Sequence, residues 1–300
     1  MTIAVVAASA YQVAVGHLTV GGVMAIVLLS GRLLQPVQTG LQFWLQYQDF
    51  AQSEVHAREL FKIDDKVTIK NDQAVEETGH LKIENLSFRY NQHSPLLLDN
   101  ISIELEKGSV LAVHGEAGCG KSTLMKLIAG MHRPTAGSIF VNDRDVAHYS
   151  ASQLMSHVGL ISTRGDIFRG SIRDNITRFG KVPYPQVLEV ANYLGVYEEI
   201  AKLPYGVDTF LSDSILDPVT PGLKQMISIL RSLASKPHII LFDDADFALD
   251  QKNYERLYNL LGNIKQNVAM IIVSQDANLR SLADQHLELK DGRLSVSKRF

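Results

Sequence analysis

Cysteine is nearly missing: Cys119 is the one thiol in 300 residues. No internal disulfide framework can form, and the chain fits a reducing compartment. A basic excess is missing too. The chain has 29 Lys and Arg against 32 Asp and Glu, a net charge of −3. That leaves no electrostatic footprint for nucleic acid. The ten histidines are scattered without the spacing of zinc ligands and read as ordinary surface or core residues. Charge is scarce at the start of the chain. Between Thr2 and Val37 the only strongly charged residue is Arg32.

That uncharged start is apolar enough to raise the question of a membrane. "TIAVVAASAYQVAVG" is too short to span a bilayer comfortably, since a crossing takes about 20 residues. "LTVGGVMAIVLLSGRLLQPV" is long enough. The expectation is part of one membrane helix, a tight turn at "GHLTVGG", and one full membrane helix. A signal peptide is the first alternative, opposed by the lack of a basic region after Met1. A buried pair of soluble helices is the second. Beyond Pro36 a helical pattern continues through Leu41, Trp44 and Leu45 to Leu60 and Phe61. One helix from Val20 to Lys62 would be about 60 Å long and project beyond the membrane. "DDKVTIKNDQAVEETGH" is charged and aperiodic, as a linker is. The boundaries expected are 1–62 for the helices with their cytoplasmic extension, 63–79 for the linker, and 80–300 for a globular domain. About one and a half crossings cannot make a pathway, so either the chain is a fragment or other chains supply the missing helices.

From Leu81 the period changes. "LKIENLSFRY" and "ISIELEK" alternate apolar with polar residues, as half-buried strands do. "SVLAVHGEAGCGKSTLMKLIAGM" is a strand, a glycine-rich turn and a helix. "GSIFVND" and "VGLIST" are further strands, and "KPHIILFDD" and "VAMIIVSQ" are apolar enough to be buried. Residues 183–200 and 223–235 carry helical patterns. Strands alternating with helices predict an α/β domain with a mainly parallel sheet.

"GEAGCGKS" matches G-x-x-x-x-G-K-[ST] at every fixed position, between an apolar strand and a helix. The alternative is a chance glycine turn, which that context disfavours. In such a loop, glycines let backbone N–H groups wrap phosphates, and the helix N-terminus adds donors and a favourable dipole. The candidate nucleotide residues are Gly115, Glu116, Ala117, Gly118, Cys119, Gly120, Lys121, Ser122 and Thr123. Lys121 is placed to reach the β- and γ-phosphates of ATP, and the Ser122 hydroxyl to ligate Mg2+. Asp243 ends "IILFD", where a metal-holding carboxylate belongs. Cys119, near a helix N-terminus and a lysine, is expected to have thiolate character.

Taken together, these residues resemble the ATP-binding cassette (ABC) family, and over nearly the whole chain the C-terminal half of a type I secretion exporter subunit. The apolar stretch before Val37 is similar to the last membrane helix of those exporters. Tyr90 stands where the family has the aromatic that stacks on adenine. "FRGSIRDNI" and "LPYGVDT" resemble the stretches flanking the family's helical subdomain. The resemblance implies a P-loop NTPase of the α/β class, a cassette with a helical subdomain, preceded by a partial all-α transmembrane region.

The departures bear on activity. Thr163 stands in place of the glutamine that senses Mg2+. "VTPGL" replaces the LSGGQ signature, with an insertion near Pro218. Asp244 replaces the catalytic glutamate, and Gln275 the histidine that contacts the γ-phosphate. The D-loop "ALD", ending at Asp250, is kept. Phosphoryl transfer depends on positioning, and a displacement of about 1 Å can cost on the order of 100-fold in rate. Asp244 sets its carboxylate one methylene further back than a glutamate would. Asp246, two positions on, is a poor substitute.

The resemblance therefore implies an ATP-binding exporter subunit with weak hydrolysis. Its partners would be a second cassette subunit, chains supplying further membrane helices, and a periplasmic adaptor. It would sit in the inner membrane with the cassette on the cytoplasmic side, moving a protein or peptide. Two alternatives stay open: a competent ATPase homodimer, and a regulatory or scaffold subunit.

Overall fold

The computed structural model describes residues 2–19, 21–26, 28, 29, 32, 35, 36, 39–48, 50, 78–163, 165–212 and 219–296. The chain divides into two compact units, Met1–Ile69 and Lys70–Phe300.

In the first unit one helix covers Thr2–Ala14. It ends at a turn through Gly16, whose φ of +80° suits a residue without Cβ. Helical residues resume at 21–26 and recur over 39–48. The side chains of Phe43, Trp44 and Tyr47 are exposed. Among the described residues no helix is long and apolar enough to cross a membrane. The full crossing expected before Val37 falls partly outside the described residues, as does about half of the stretch from Val20 to Lys62. The expected linker lies outside them up to residue 77.

The second unit is built on two sheets. The larger has six strands in the order β12-β11-β3-β10-β9-β6. These are β3 (Val110–His114), β6 (Val158–Ser162), β9 (Ile239–Asp243), β10 (Ala269–Val273), β11 (Gln285–Lys290) and β12 (Arg293–Val296). All neighbours pair in parallel except β11 with β12. β9 and β10 are buried at every position. Their alternate residues feed two cores. Ile240 and Phe242 face one, while Ile239 and Leu241 face the other. A strand covered on both faces needs an unbroken apolar run, and these two have one.

The smaller sheet corrects the expectation of a single, mainly parallel one. β1 (Leu81–Phe88), β2 (Leu98–Leu105), β4 (Ala136–Val141) and β5 (Arg144–Asp145) form it in the order β2-β1-β4-β5, and every pair is antiparallel. The physical reason is in the patterning. β1 buries one face and leaves the other part-exposed, as an antiparallel strand can and a doubly covered parallel strand cannot.

The helix expected over 183–200 is two helices, Tyr184–Tyr193 and Val196–Ala201. Gly195 breaks it at φ +62°. A Cβ there would lie 2.2 Å from the Arg256 guanidinium carbon, which approaches from the helix Gln251–Ile264. Arg256 also donates to the Gly195 carbonyl at 3.1 Å. These helices lie between Gly170–Ser171 and Phe210–Leu211, which pair as the short strands β7 and β8. The two flanking stretches thus close on each other at the base of a helical subdomain. Arg173 and Asp208 add an ion pair at 3.0 Å.

Candidate functional site

The loop between β3 and the helix Lys121–Ile128 is held open by glycine. Gly115, Gly118 and Gly120 adopt φ of +148°, +83° and +111°. At Gly115 the requirement is also steric. A Cβ there would lie 2.4 Å from the Leu289 carbonyl oxygen and 2.7 Å from the Cys119 sulfur. The helix begins with no side chain capping its first turn. Its leading N–H groups keep the capacity to receive an anion. Glu116, Ala117 and Gly118 are exposed on the loop, while the Cys119 side chain is half-buried and packs against one of the two cores.

Lys121 curls back over this loop. Its Nζ donates to the carbonyls of Gly115 at 2.7 Å and Glu116 at 2.8 Å, and lies 3.7 Å from the Cys119 sulfur. An ammonium held by neutral carbonyls keeps its whole charge available to a phosphate. Ser122 donates to Asp243 Oδ1 at 3.1 Å. Helix start and strand end thus bring together two residues far apart in the chain. Burial pushes the Asp243 carboxyl up from its ordinary range, while the Ser122 hydroxyl and the Lys126 and Lys121 ammonium groups pull it back.

Asp244 follows in the left-handed region, at φ +47°. Its N–H continues the ladder to the Val273 carbonyl at 2.8 Å. Burial raises its carboxyl as well, with Asp243 and Asp246 adding to the effect. Asp246 is committed elsewhere: both its oxygens accept from the Ser274 hydroxyl at 3.2 Å. Ser274 in turn accepts from the Asp276 N–H. Asp276 caps the helix Ala277–Ser281 and accepts from the Tyr254 hydroxyl. Gln275 sits exposed in the middle of this anchored turn.

The other candidates are placed as follows. Tyr90 is 56% exposed, with its hydroxyl 2.9 Å from the Thr123 hydroxyl and its ring edge-on to Phe88 and His132. It therefore stands beside the first turn of the phosphate-loop helix with ring surface open. Thr163 donates its hydroxyl to the Asp243 carbonyl at 2.9 Å, which buttresses the strand end rather than reaching past it. Asp250 caps the helix Gln251–Ile264 through the Asn253 N–H at 2.8 Å.

"VTPGL" takes on a different meaning in three dimensions. Thr220 is the N-cap of the helix Pro221–Leu233, and its hydroxyl oxygen accepts from the Leu223 N–H at 3.3 Å. Pro221 is the first helical residue, where a missing N–H does no harm to the helix. In the stretch that replaces the signature, the Thr220 hydroxyl is thus engaged as a helix cap. Pro218 and the expected insertion lie outside the described residues.

The donor set fits a nucleotide with its cation. Among the described residues no group of three His, Cys, Asp or Glu side chains could hold a metal by itself. Mg2+ does not need one. It is typically bound by one or two protein oxygens together with substrate phosphates, and Ser122 and Asp243 provide such oxygens beside a phosphate-binding loop.

Known proteins share the sequence pattern and the fold. The profile of the family "ABC transporter" matches residues 98–246. The leukotoxin export ATP-binding protein LtxB of Aggregatibacter actinomycetemcomitans is 29% identical over 289 residues, covering 95% of this chain and 40% of LtxB. The cyclolysin secretion/processing ATP-binding protein CyaB of Bordetella pertussis is 28% identical over 288 residues, with the same coverage on both sides. The chain thus spans 40% of the length of these relatives. A bacterial Atm1-family ABC exporter solved with ATP bound superposes with a TM-score of 0.69 at 26% identity, over 93% of this chain and 49% of that one. The chain carries an ABC transporter cassette.

Proposed function

We propose that this chain is an ATP-binding subunit of an exporter, one that holds Mg-ATP firmly and hydrolyses it weakly. The observation that carries the reading is the Ser122–Asp243 contact behind an uncapped, glycine-opened loop. Lys121 and the loop N–H groups would hold the phosphates, Ser122 and Asp243 the Mg2+, and Tyr90 the base. Mg2+ would supply charge neutralisation between the β- and γ-phosphates.

Weak hydrolysis is supported by what surrounds that core. Asp244 offers a short carboxylate, and Asp246 is bound to Ser274. Gln275 is an amide, which hydrogen-bonds but does not carry a proton. Thr163 is engaged with backbone. The helix at Pro221 is a poor cap for a second nucleotide, because Pro221 has no N–H and Thr220 takes that of Leu223.

The cassette works in this reading with a second cassette subunit and with membrane helices, to which it passes its closure on ATP. The names of LtxB and CyaB, which refer to leukotoxin export and cyclolysin secretion, support a protein or peptide cargo. The membrane crossing before Val37, an inner-membrane location and a periplasmic adaptor rest on the sequence resemblance.

Cys119 provides the test of nucleotide occupancy. It is the chain's single cysteine, and its sulfur lies inside the loop. Maleimide is expected to label it slowly, and saturating Mg-ATP to slow the labelling at least several-fold. Equal labelling rates with and without ATP count against occupancy of this loop.

A further inference from the structure

The sequence gives no reason to pair any two of the ten histidines, yet the fold sets two of them ring to ring. His114 ends β3, one residue before the phosphate loop. His286 lies on β11, which pairs in parallel with β3 and sets Glu288 opposite His114. The rings are nearly parallel, at 4° with centroids 5.2 Å apart. Nε2 of His114 is 2.9 Å from Nδ1 of His286. Both side chains are half-buried.

A hydrogen bond between two imidazole nitrogens requires one proton between them. The neutral pair meets that condition. So does the pair with one added proton, where an imidazolium donates to a neutral ring and the bond becomes charge-assisted. A second added proton would set two N–H groups against each other. The geometry thus accepts one extra proton and resists another.

The surroundings decide when that proton is bound. Burial holds His114 below the ordinary imidazole range, and His286, Arg280 and Lys121 add to the effect against Glu288. Burial and Arg280 hold His286 down in the same way. Arg280 comes from the helix Ala277–Ser281, Glu288 from β11, and Lys121 from the start of the phosphate-loop helix. Lys121 is the group that a bound phosphate would neutralise.

We propose that the His114–His286 pair is a proton site coupled to the phosphate loop, taking up one shared proton from solvent when a nucleotide binds and returning it on release. This rests on the nucleotide-binding reading above. Two routes carry the coupling. The phosphates offset the Lys121 charge that opposes protonation of His114. The loop is also tied to β11 mechanically, since Gly115 packs on Leu289 too closely to admit a Cβ. Linkage makes the coupling reciprocal: protonating the pair tightens nucleotide binding. Affinity therefore rises as pH falls toward and below the ordinary imidazole value of about 6.5, because both rings are held under that value in the free protein and the anion relieves part of the effect. It levels off once the pair is protonated in the free protein as well.

The test is calorimetric titration of the full chain with Mg-ADP at pH 6.5, in MES and in Bis-Tris. The two buffers differ in ionisation enthalpy, so the difference in heat counts protons. His286→Gln keeps an acceptor for His114 but cannot take up a proton, and His114→Gln is the reciprocal variant. The wild type is expected to take up roughly 0.3 proton or more per nucleotide beyond either variant, while both variants still bind. Histidine resonances of the wild type, titrated with and without Mg-ADP, should show the pair's pKa rising on binding. Equal proton uptake in wild type and variants, or histidine titrations that Mg-ADP leaves in place, overturns the proton site alone. Absence of any binding by the wild type overturns it together with the nucleotide reading.

Discussion

Lys121→Ala is expected to weaken nucleotide binding roughly 100-fold and to leave the cassette folded. The direction follows from where the ammonium stands. It is held at 2.7 and 2.8 Å by the carbonyls of Gly115 and Glu116, in the loop itself. No carboxylate within ion-pairing reach neutralises it among the contacts of the described residues. A charge-assisted bond to phosphate contributes about 1.5–3 kcal/mol, and a 100-fold loss corresponds to about 2.7 kcal/mol. Folding should survive because the freed carbonyls lie in a loop whose crest is exposed and can take water instead. Titration with a fluorescent ATP analogue measures the loss, and thermal unfolding without nucleotide checks the fold. An unchanged affinity would place the nucleotide elsewhere. Unimpaired transport by the variant would favour the scaffold alternative.

Asp244→Glu is expected to raise steady-state ATP hydrolysis, on the order of 10-fold and at most about 100-fold. The main chain at 244 is fixed by its bond to Val273 and by its place at the end of β9. Lengthening the side chain therefore advances the carboxylate without moving its origin. The gain should stop short of full activity, since Gln275 and Thr163 remain as they are. Phosphate release assays on wild type and variant, at equal nucleotide occupancy, give the ratio. A ratio near one would mean that the length of this side chain is not what limits the reaction.

The phosphate loop is legible in the sequence because its information is local. Gly115, Gly120, Lys121 and Ser122 sit at fixed spacing between a strand and a helix, and each plays its part within one turn of chain. The buried strands β9 and β10 are legible for the same reason, as unbroken apolar runs. What escapes the sequence depends on distant partners. The Arg256 side chain that leaves no room for a Cβ at Gly195 comes from 61 residues on. The antiparallel sheet needs β1 to pair with β4 across two intervening strands. The His114–His286 contact joins residues 172 apart. Thr220 is an instructive intermediate case. Threonine followed by proline ahead of an apolar period is a helix-start signal, so the cap is legible locally. The engagement of Asp246 by Ser274 carries no such signal.

The most direct test of a site that holds ATP more than it consumes it is steady-state hydrolysis by the chain, purified with whatever subunits stay bound, beside Asp244→Asn. Both proteins must first be shown to bind Mg-ATP. An unchanged rate in the variant is the predicted result, with any turnover belonging to a partner's site. Loss of the activity in the variant would make Asp244 a working catalytic carboxylate and contradict the holding role.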